Sequence, residues 1–320
     1  MPPTPACTVG AVATALVVGE ALIDVVRVPT DEPVERPGGA AVNAAVALAR
    51  LGRDVRLATS YASDAHGRLL ERHLADAGVA LAADPYELPR TSRADAVIGP
   101  TGAASYSFDV AWRLPHVTST TGTHVLHVVS LGPLMDPGAD EVLALVDRLA
   151  PATTVTYDVN VRPALTGTGP GVVERVTRMA ARADLVKASD EDLLALWPER
   201  DPGESASHLL ELGPEAVIVT RGDTGASWHV RRSDGWSTGG VHAEQAQVVD
   251  TIGAGDTFGA ALVDHLWPLL GEGGRGRLEA LGADDWAAAL TYAARAAAIT
   301  VSRVGADPPT RAEVEASRLP

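Results

Sequence analysis

The stretch Thr153-Thr154-Val155-Thr156-Tyr157-Asp158-Val159-Asn160-Val161-Arg162-Pro163 decides the fold class, because a β-branched and aromatic run stops abruptly in charged and amide side chains. Such a run suits a strand covered on both faces, and its polar C-terminal end is where open α/β sheets place their ligands. Extended backbone would put Asp158, Asn160 and Arg162 on one face. There a carboxylate, an amide and a guanidinium can handle a metal-bound phosphate, or merely tie a loop through an Asp–Arg pair.

Outward from this stretch, residues 55–58, 125–129, 185–187 and 216–220 are further strand candidates. Segments 64–77, 137–149, 171–182, 191–196, 205–212 and 286–301 have helical spacing and alternate with them. The expected fold is therefore α/β, a mostly parallel central sheet flanked by helices. No linker or repeat divides the chain, so one domain over residues 1–320 is expected. Segments 25–34 and 94–108, the latter with the turn Gly99-Pro100-Thr101-Gly102, break the alternation. They read as antiparallel strands outside the main sheet, either a small β lid or a decorative hairpin.

The acidic balance, a formal net charge of -15, disfavours nucleic acid and anionic membranes as partners. The first apolar run is broken by Gly19, Glu20 and Asp24 and reads as a buried strand, so no membrane span is expected. A single cysteine, Cys7, leaves no internal disulfide and fits a cytoplasmic setting.

The chemistry concentrates in Asp250-Thr251-Ile252-Gly253-Ala254-Gly255-Asp256-Thr257-Phe258. Gly253 and Gly255 let backbone approach an anion, and the apolar segment 259–270 reads as a helix whose free N–H groups, with Ala254, line the turn. Asp256 is placed to take a proton from a hydroxyl while those groups neutralise a phosphoryl in transfer. The alternative is a plain helix cap. Upstream, Gly38-Gly39-Ala40-Ala41-Val42-Asn43 opens a second helix with Asn43 one turn inside, its amide leaning back over the glycines. An amide suits vicinal hydroxyls.

With Gly19-Glu20-Ala21-Leu22-Ile23-Asp24, these two signatures resemble, in order and across nearly the whole chain, the ribokinase-like (PfkB) carbohydrate kinases, in a fructokinase-like form. The resemblance implies ATP-dependent phosphorylation of a small sugar, a ketohexose such as fructose first, with 2-keto-3-deoxygluconate, ribose or a nucleoside as alternatives. It implies Asp256 as base with Gly253, Ala254 and Gly255 around the transferred group. Asp24, Gly39, Asn43, Phe108 and Arg162 would contact the sugar, with substrate choice resting on lid side chains such as Phe108 and Trp112. Lys187, Thr220, Gly222, Gly225, Gly255 and Gly305 would border the nucleotide. Asp158 and Asp192 would serve Mg2+, and Asp250 with the Ile252 carbonyl a monovalent cation. It further implies a homodimer formed through the lid.

Two departures stand out. Ser189 and Asp192 replace the family's Asn and Glu in an N-x-x-E segment, and the pair equally fits a helix cap. Pro309 stands where a serine ligand is common, so potassium activation is doubtful. No Walker A, dinucleotide or zinc-peptidase signature is present. A non-catalytic sugar or nucleotide sensor is the alternative from another class.

Overall fold

The computed structural model describes residues 13–27, 32–98, 104–232 and 235–317; Cys7 and the turn expected at 99–102 lie outside them. In chain order the strands are β1 (Thr14–Val18), β2 (Leu22–Arg27), β3 (Val34–Gly38), β4 (Asp54–Ala58), β5 (Ala80–Leu81), β6 (Arg93–Ile98), β7 (Ala104–Asp109), β8 (Thr123–Val129), β9 (Thr154–Asp158), β10 (Leu185–Ser189), β11 (Ala216–Thr220), β12 (Ala226–Arg232) and β13 (Gly235–Val241). The helices are α1 (Ala40–Arg50), α2 (Ala65–Asp76), α3 (Gly138–Leu149), α4 (Pro163–Thr166), α5 (Pro170–Ala180), α6 (Asp190–Leu196), α7 (Pro202–Glu211), α8 (Ala254–Leu266), α9 (Gly274–Glu279), α10 (Ala283–Val301) and α11 (Arg311–Ala316).

Nine strands form one sheet in the order β13-β12-β11-β10-β9-β8-β1-β4-β5. It is parallel from β11 to β5, and the β12–β13 hairpin closes one edge antiparallel. Strand β1 shows why both faces are covered. Ala15 and Val17 join the core shared with α1, α8 and α10, while Leu16 and Val18 join the one shared with α3, α5 and α7. Alternation at period two with Ala15 to Val18 all apolar requires a helical layer on each side.

A second sheet, ordered β3-β2-β6-β7, stands apart from the first. Two details differ from the sequence reading. Segment 25–34 is not one strand but the end of β2 and the first residue of β3, and β2 pairs with β6 in parallel rather than antiparallel register. Trp112 is not a side chain of this sheet. It is buried, donates Nε1–H to the Gly132 carbonyl at 2.9 Å, and packs so closely on Gly138 that a Cβ there would lie 2.3 Å from the indole nitrogen. An indole of this size gains more from the core than from a polar rim.

Helix α8 starts at Ala254, inside the glycine turn, because Gly253 adopts φ 75° and caps it in a left-handed conformation. Among the described residues no helix is long and apolar enough to cross a membrane.

Candidate active site

Strand order reverses between β1 and β8, since the chain runs from β1 outward to β4 and later returns on the other side through β8 to β11. Crevices at such switch points bind ligands. Here Glu20, just beyond β1, crosses the crevice: its carboxylate accepts the Ala40 N–H at 3.0 Å and the Leu131 N–H at 3.2 Å. It thereby fixes the start of α1 to the loop after β8. Gly39, at φ 98°, is required by this closeness, because a Cβ there would lie 2.6 Å from the Glu20 carbonyl oxygen.

One turn into α1, Asn43 donates from Nδ2 to Asp256 Oδ2 at 2.8 Å, and both side chains are buried. The two signatures, 213 residues apart, thus meet in one hydrogen bond. Burial raises the Asp256 carboxyl above the ordinary carboxylate range, while the Asn43 bond and the charges of Arg162 and Lys187 pull it back down. Position three of α8 sets it beside N–H groups that have no acceptor inside the helix. A base and an anion-binding helix end therefore share one wall.

Beneath that helix end lies a buried ion pair, Lys187 Nζ to Asp158 at 3.0 and 3.1 Å. Gly255 and Gly259, one helical turn apart, leave room for it: a Cβ on Gly255 would lie 3.2 Å from Nζ, and one on Gly259 3.3 Å from an Asp158 oxygen. Burial pushes Asp158 up to about 7 despite the ammonium beside it, whose own pKa rises from its carboxylate neighbours. The ammonium adds positive potential under the anion site.

Past β9 the backbone does not stay extended. Asn160 adopts φ 37° and Arg162 caps α4, so Asp158, Asn160 and Arg162 do not share one strand face. Proline at the start of α4 turns the chain. Arg162 instead reaches the crevice by its charge, which acts on Glu20, Asp24 and Asp256. Asp192 closes a capping box with Ser189, and its two oxygens accept the N–H groups of Ser189 and Val161, each at 2.8 Å. Asp158 is engaged by Lys187 and Asp192 by two backbone N–H groups, an arrangement that leaves each able to hold Mg2+ through water. No group of three acidic, His or Cys residues suited to a metal occurs among the described residues.

On the far side of α8 a cavity of about 640 Å³ is lined by Thr220, Gly222, Gly225, Thr251, Ala254, Gly255, Phe258 and the small residues Ala294, Ala297 and Ala298 of α10. It has a polar end at the glycine turn and an apolar end large enough for a base. Gly305 is outside this lining, but its N–H donates to Asp250 Oδ2 at 2.9 Å while Asp250 Oδ1 accepts the Ile252 N–H. Asp250 thus staples the C-terminal loop to the glycine turn. Asp24 is in the small sheet, its carboxyl raised to about 6 by burial and by the Asp256 charge. Phe108 is on β7, half exposed, paired with Ala94.

Sequence reasoning missed two residues. Arg36 of β3 pairs in register with Asp24, and its side chain lies against Gly305. Glu20 was quoted only as part of a motif, although a charged residue ending an apolar run was the available signal. Burial raises Glu20 from 4.5 to about 7. A carboxyl whose folded pKa is raised binds more protons folded than unfolded, so its contribution to stability is favourable at low pH and is lost as pH rises from about 4.5 to 7. Relative to Glu20→Gln, the wild type is therefore expected to lose on the order of 3 kcal/mol between pH 4 and pH 8. Urea unfolding of both proteins at the two pH values checks this, and a pH-independent difference contradicts it.

The pfkB family carbohydrate kinase model matches residues 12–313. A fructokinase of Rhizobium leguminosarum bv. trifolii is 34% identical over 262 residues, covering 78% of each chain. An aminoimidazole riboside kinase of Salmonella typhimurium is 28% identical over 77% of this chain and 79% of its own. Among solved structures, the fructokinase of Xylella fastidiosa with bound ATP superposes with a TM-score of 0.81 at 25% identity, covering 95% of this chain and 97% of that one.

Proposed function

The chain belongs to the pfkB family of carbohydrate kinases, and from that premise we propose that it transfers the γ-phosphate of ATP to a hydroxyl of a ketohexose, with fructose the first substrate to test. The observation that carries the proposal is the buried Asn43–Asp256 bond at the N-terminus of α8. Asp256 accepts the hydroxyl proton, Asn43 holds that carboxylate and presents its remaining polar groups to the sugar, and the helix end with Lys187 beneath it receives the negative charge that develops on the phosphoryl. Asp24, Gly39 and Arg162 complete the sugar crevice. The cavity between Thr220–Gly225, Ala254–Gly255 and α10 takes the nucleotide. Both the 34% identical relative and the ATP-bound neighbour are named fructokinases, which supports the choice of sugar and nucleotide. Magnesium enters with the nucleotide, held by phosphates and water rather than by a protein cage.

The small sheet, in this proposal, covers the sugar, since Asp24 and Arg36 extend from it to the crevice. Its exposed Val34 supports association with a second copy. A riboside is the second substrate class, supported by the Salmonella relative. Initial rates with ATP across fructose, ribose, 2-keto-3-deoxygluconate and nucleosides test the assignment. The expected result is the highest kcat/KM for fructose, and a preference for a riboside moves the assignment to that class.

Asn43→Ala removes the partner of a buried carboxylate, at a cost of about 1–3 kcal/mol. The sugar KM is expected to rise by about 10- to 100-fold, with a fall in kcat, while the ATP KM stays within about twofold. Steady-state kinetics on both substrates check this, and an unchanged sugar KM contradicts it.

A further inference from the structure

The turn that walls the nucleotide-side cavity has a second pocket behind it. Thr220 and Gly222 face the cavity against α8 and α10, Gly225 lines both spaces, and Arg221 and Thr224 line the other, a cleft of about 440 Å³ over the outer face of the β12–β13 hairpin. Its wall carries Arg221, Ser227, His229, Thr238 and His242, with no carboxylate among the described residues, in a chain of 41 acidic and 26 basic residues.

The polar groups are ordered rather than scattered. Arg221 Nη1 donates to Ser227 Oγ at 2.6 Å, and that hydroxyl lies 3.3 Å from His229 Nε2. A hydroxyl that accepts from a guanidinium can still donate to that ring nitrogen or accept from it. His229 is 7% exposed, and its Nδ1 has no hydrogen-bond partner. Among the described residues Arg221 makes no ion pair with a carboxylate, and its side chain bonds to Ser227. The acid nearest in effect is Asp201, whose carboxylate is spent on the Gly203 and Glu204 N–H groups. Burial pushes His229 downward and the Arg221 charge adds to this, against the opposing charge of Asp201. A half-buried guanidinium and the hydroxyls of Thr224, Ser227 and Thr238 line one concavity, where donors stand without a carboxylate among the described lining residues.

We propose that this pocket is a second binding site, for a phosphate-type oxyanion, formed by Arg221, Ser227, His229 and Thr238 and set back to back with the nucleotide cavity across the turn Arg221–Gly225. Because the Arg221 N–H donates to the Gly225 carbonyl at 2.8 Å, an anion on Arg221 acts on the same turn that borders the nucleotide. Occupancy of the pocket therefore shifts nucleotide affinity, and by reciprocity nucleotide shifts anion affinity.

Calorimetric titration of the full chain with inorganic phosphate and, separately, with fructose 6-phosphate tests the site. Nucleotide analogue and fructose are kept saturating, so that the catalytic crevice is occupied. Saturable binding is expected, weakened by about tenfold or more in Arg221→Gln. Thr238→Glu, which adds a carboxylate to the rim on an exposed strand, is expected to weaken it similarly with the fructose KM unchanged. Tighter binding of the free ion identifies phosphate as the ligand, and tighter binding of the ester identifies a phosphorylated metabolite. The proposal is overturned if neither probe saturates, or if Thr238→Glu binds as the wild type does.

Discussion

Asp256→Asn is expected to fold and to bind nucleotide as the wild type does while losing about 10² to 10⁴ in kcat. The amide is close to isosteric, and one oxygen remains to accept from Asn43, which now holds Asp256 Oδ2 at 2.8 Å. What disappears is the ability to take a proton. Since burial holds the Asp256 carboxyl above the usual range, the wild-type kcat is also expected to fall on the acidic side, as the base becomes protonated, and the residual activity of the variant to lack that limb. Pre-steady-state and steady-state rates across pH measure both effects. A variant with near wild-type kcat and the same acidic limb assigns the base elsewhere.

Lys187→Met carries the largest expected effect on stability. Its ammonium is bonded to both oxygens of a fully buried carboxyl already pushed up to about 7, which without that partner must take up a proton or stay buried and unpaired. Removing one member of such a pair costs about 3–5 kcal/mol. Exchanging both members for apolar groups relieves most of this, so Lys187→Met with Asp158→Leu is expected to be more stable than Lys187→Met alone. Denaturant unfolding of the two singles and the double closes the cycle. Additive losses would show that the pair is not coupled, and the ammonium would then have to be placed by something other than Asp158. The double variant is expected to be inactive even if stable, because the positive potential under the first turn of α8 is gone.

How far the sequence foretold this site depends on the distance between partners. The glycine turn and Asp256 lie within four residues of one another, and Gly39 with Asn43 likewise, so spacing alone exposed each half. Strands β8 to β11 were equally plain, being apolar runs bounded by polar ends. Glu20 escaped because its partners, Ala40 and Leu131, are 20 and 111 residues away, so its place at the end of an apolar run marked the residue but not the groups it holds. The parallel β2–β6 pairing was hidden for the same reason: register between segments some seventy residues apart is set by tertiary packing, not by local pattern. Asn160 at φ 37° was hidden differently. Asn tolerates the left-handed region without requiring it, so the expectation of an extended Asp158–Arg162 face failed at a residue type that gives no warning. Asp158 and Asp192, expected to serve magnesium, accept from Lys187 and from the Val161 and Ser189 N–H groups, and of these contacts only the Ser189 cap was legible in local spacing.

Phosphoryl transfer to a sugar hydroxyl requires Asp256 as the base. The most direct measurement is phosphorus NMR of the wild type and of Asp256→Asn, each mixed with magnesium, ATP and fructose. In the wild type, the expected spectrum shows the γ-phosphate signal replaced by ADP and one sugar phosphate in equal amounts, with no such conversion in the variant on the same time scale. Conversion at equal rates in both, or ATP left intact by a folded wild type with every sugar offered, would contradict it.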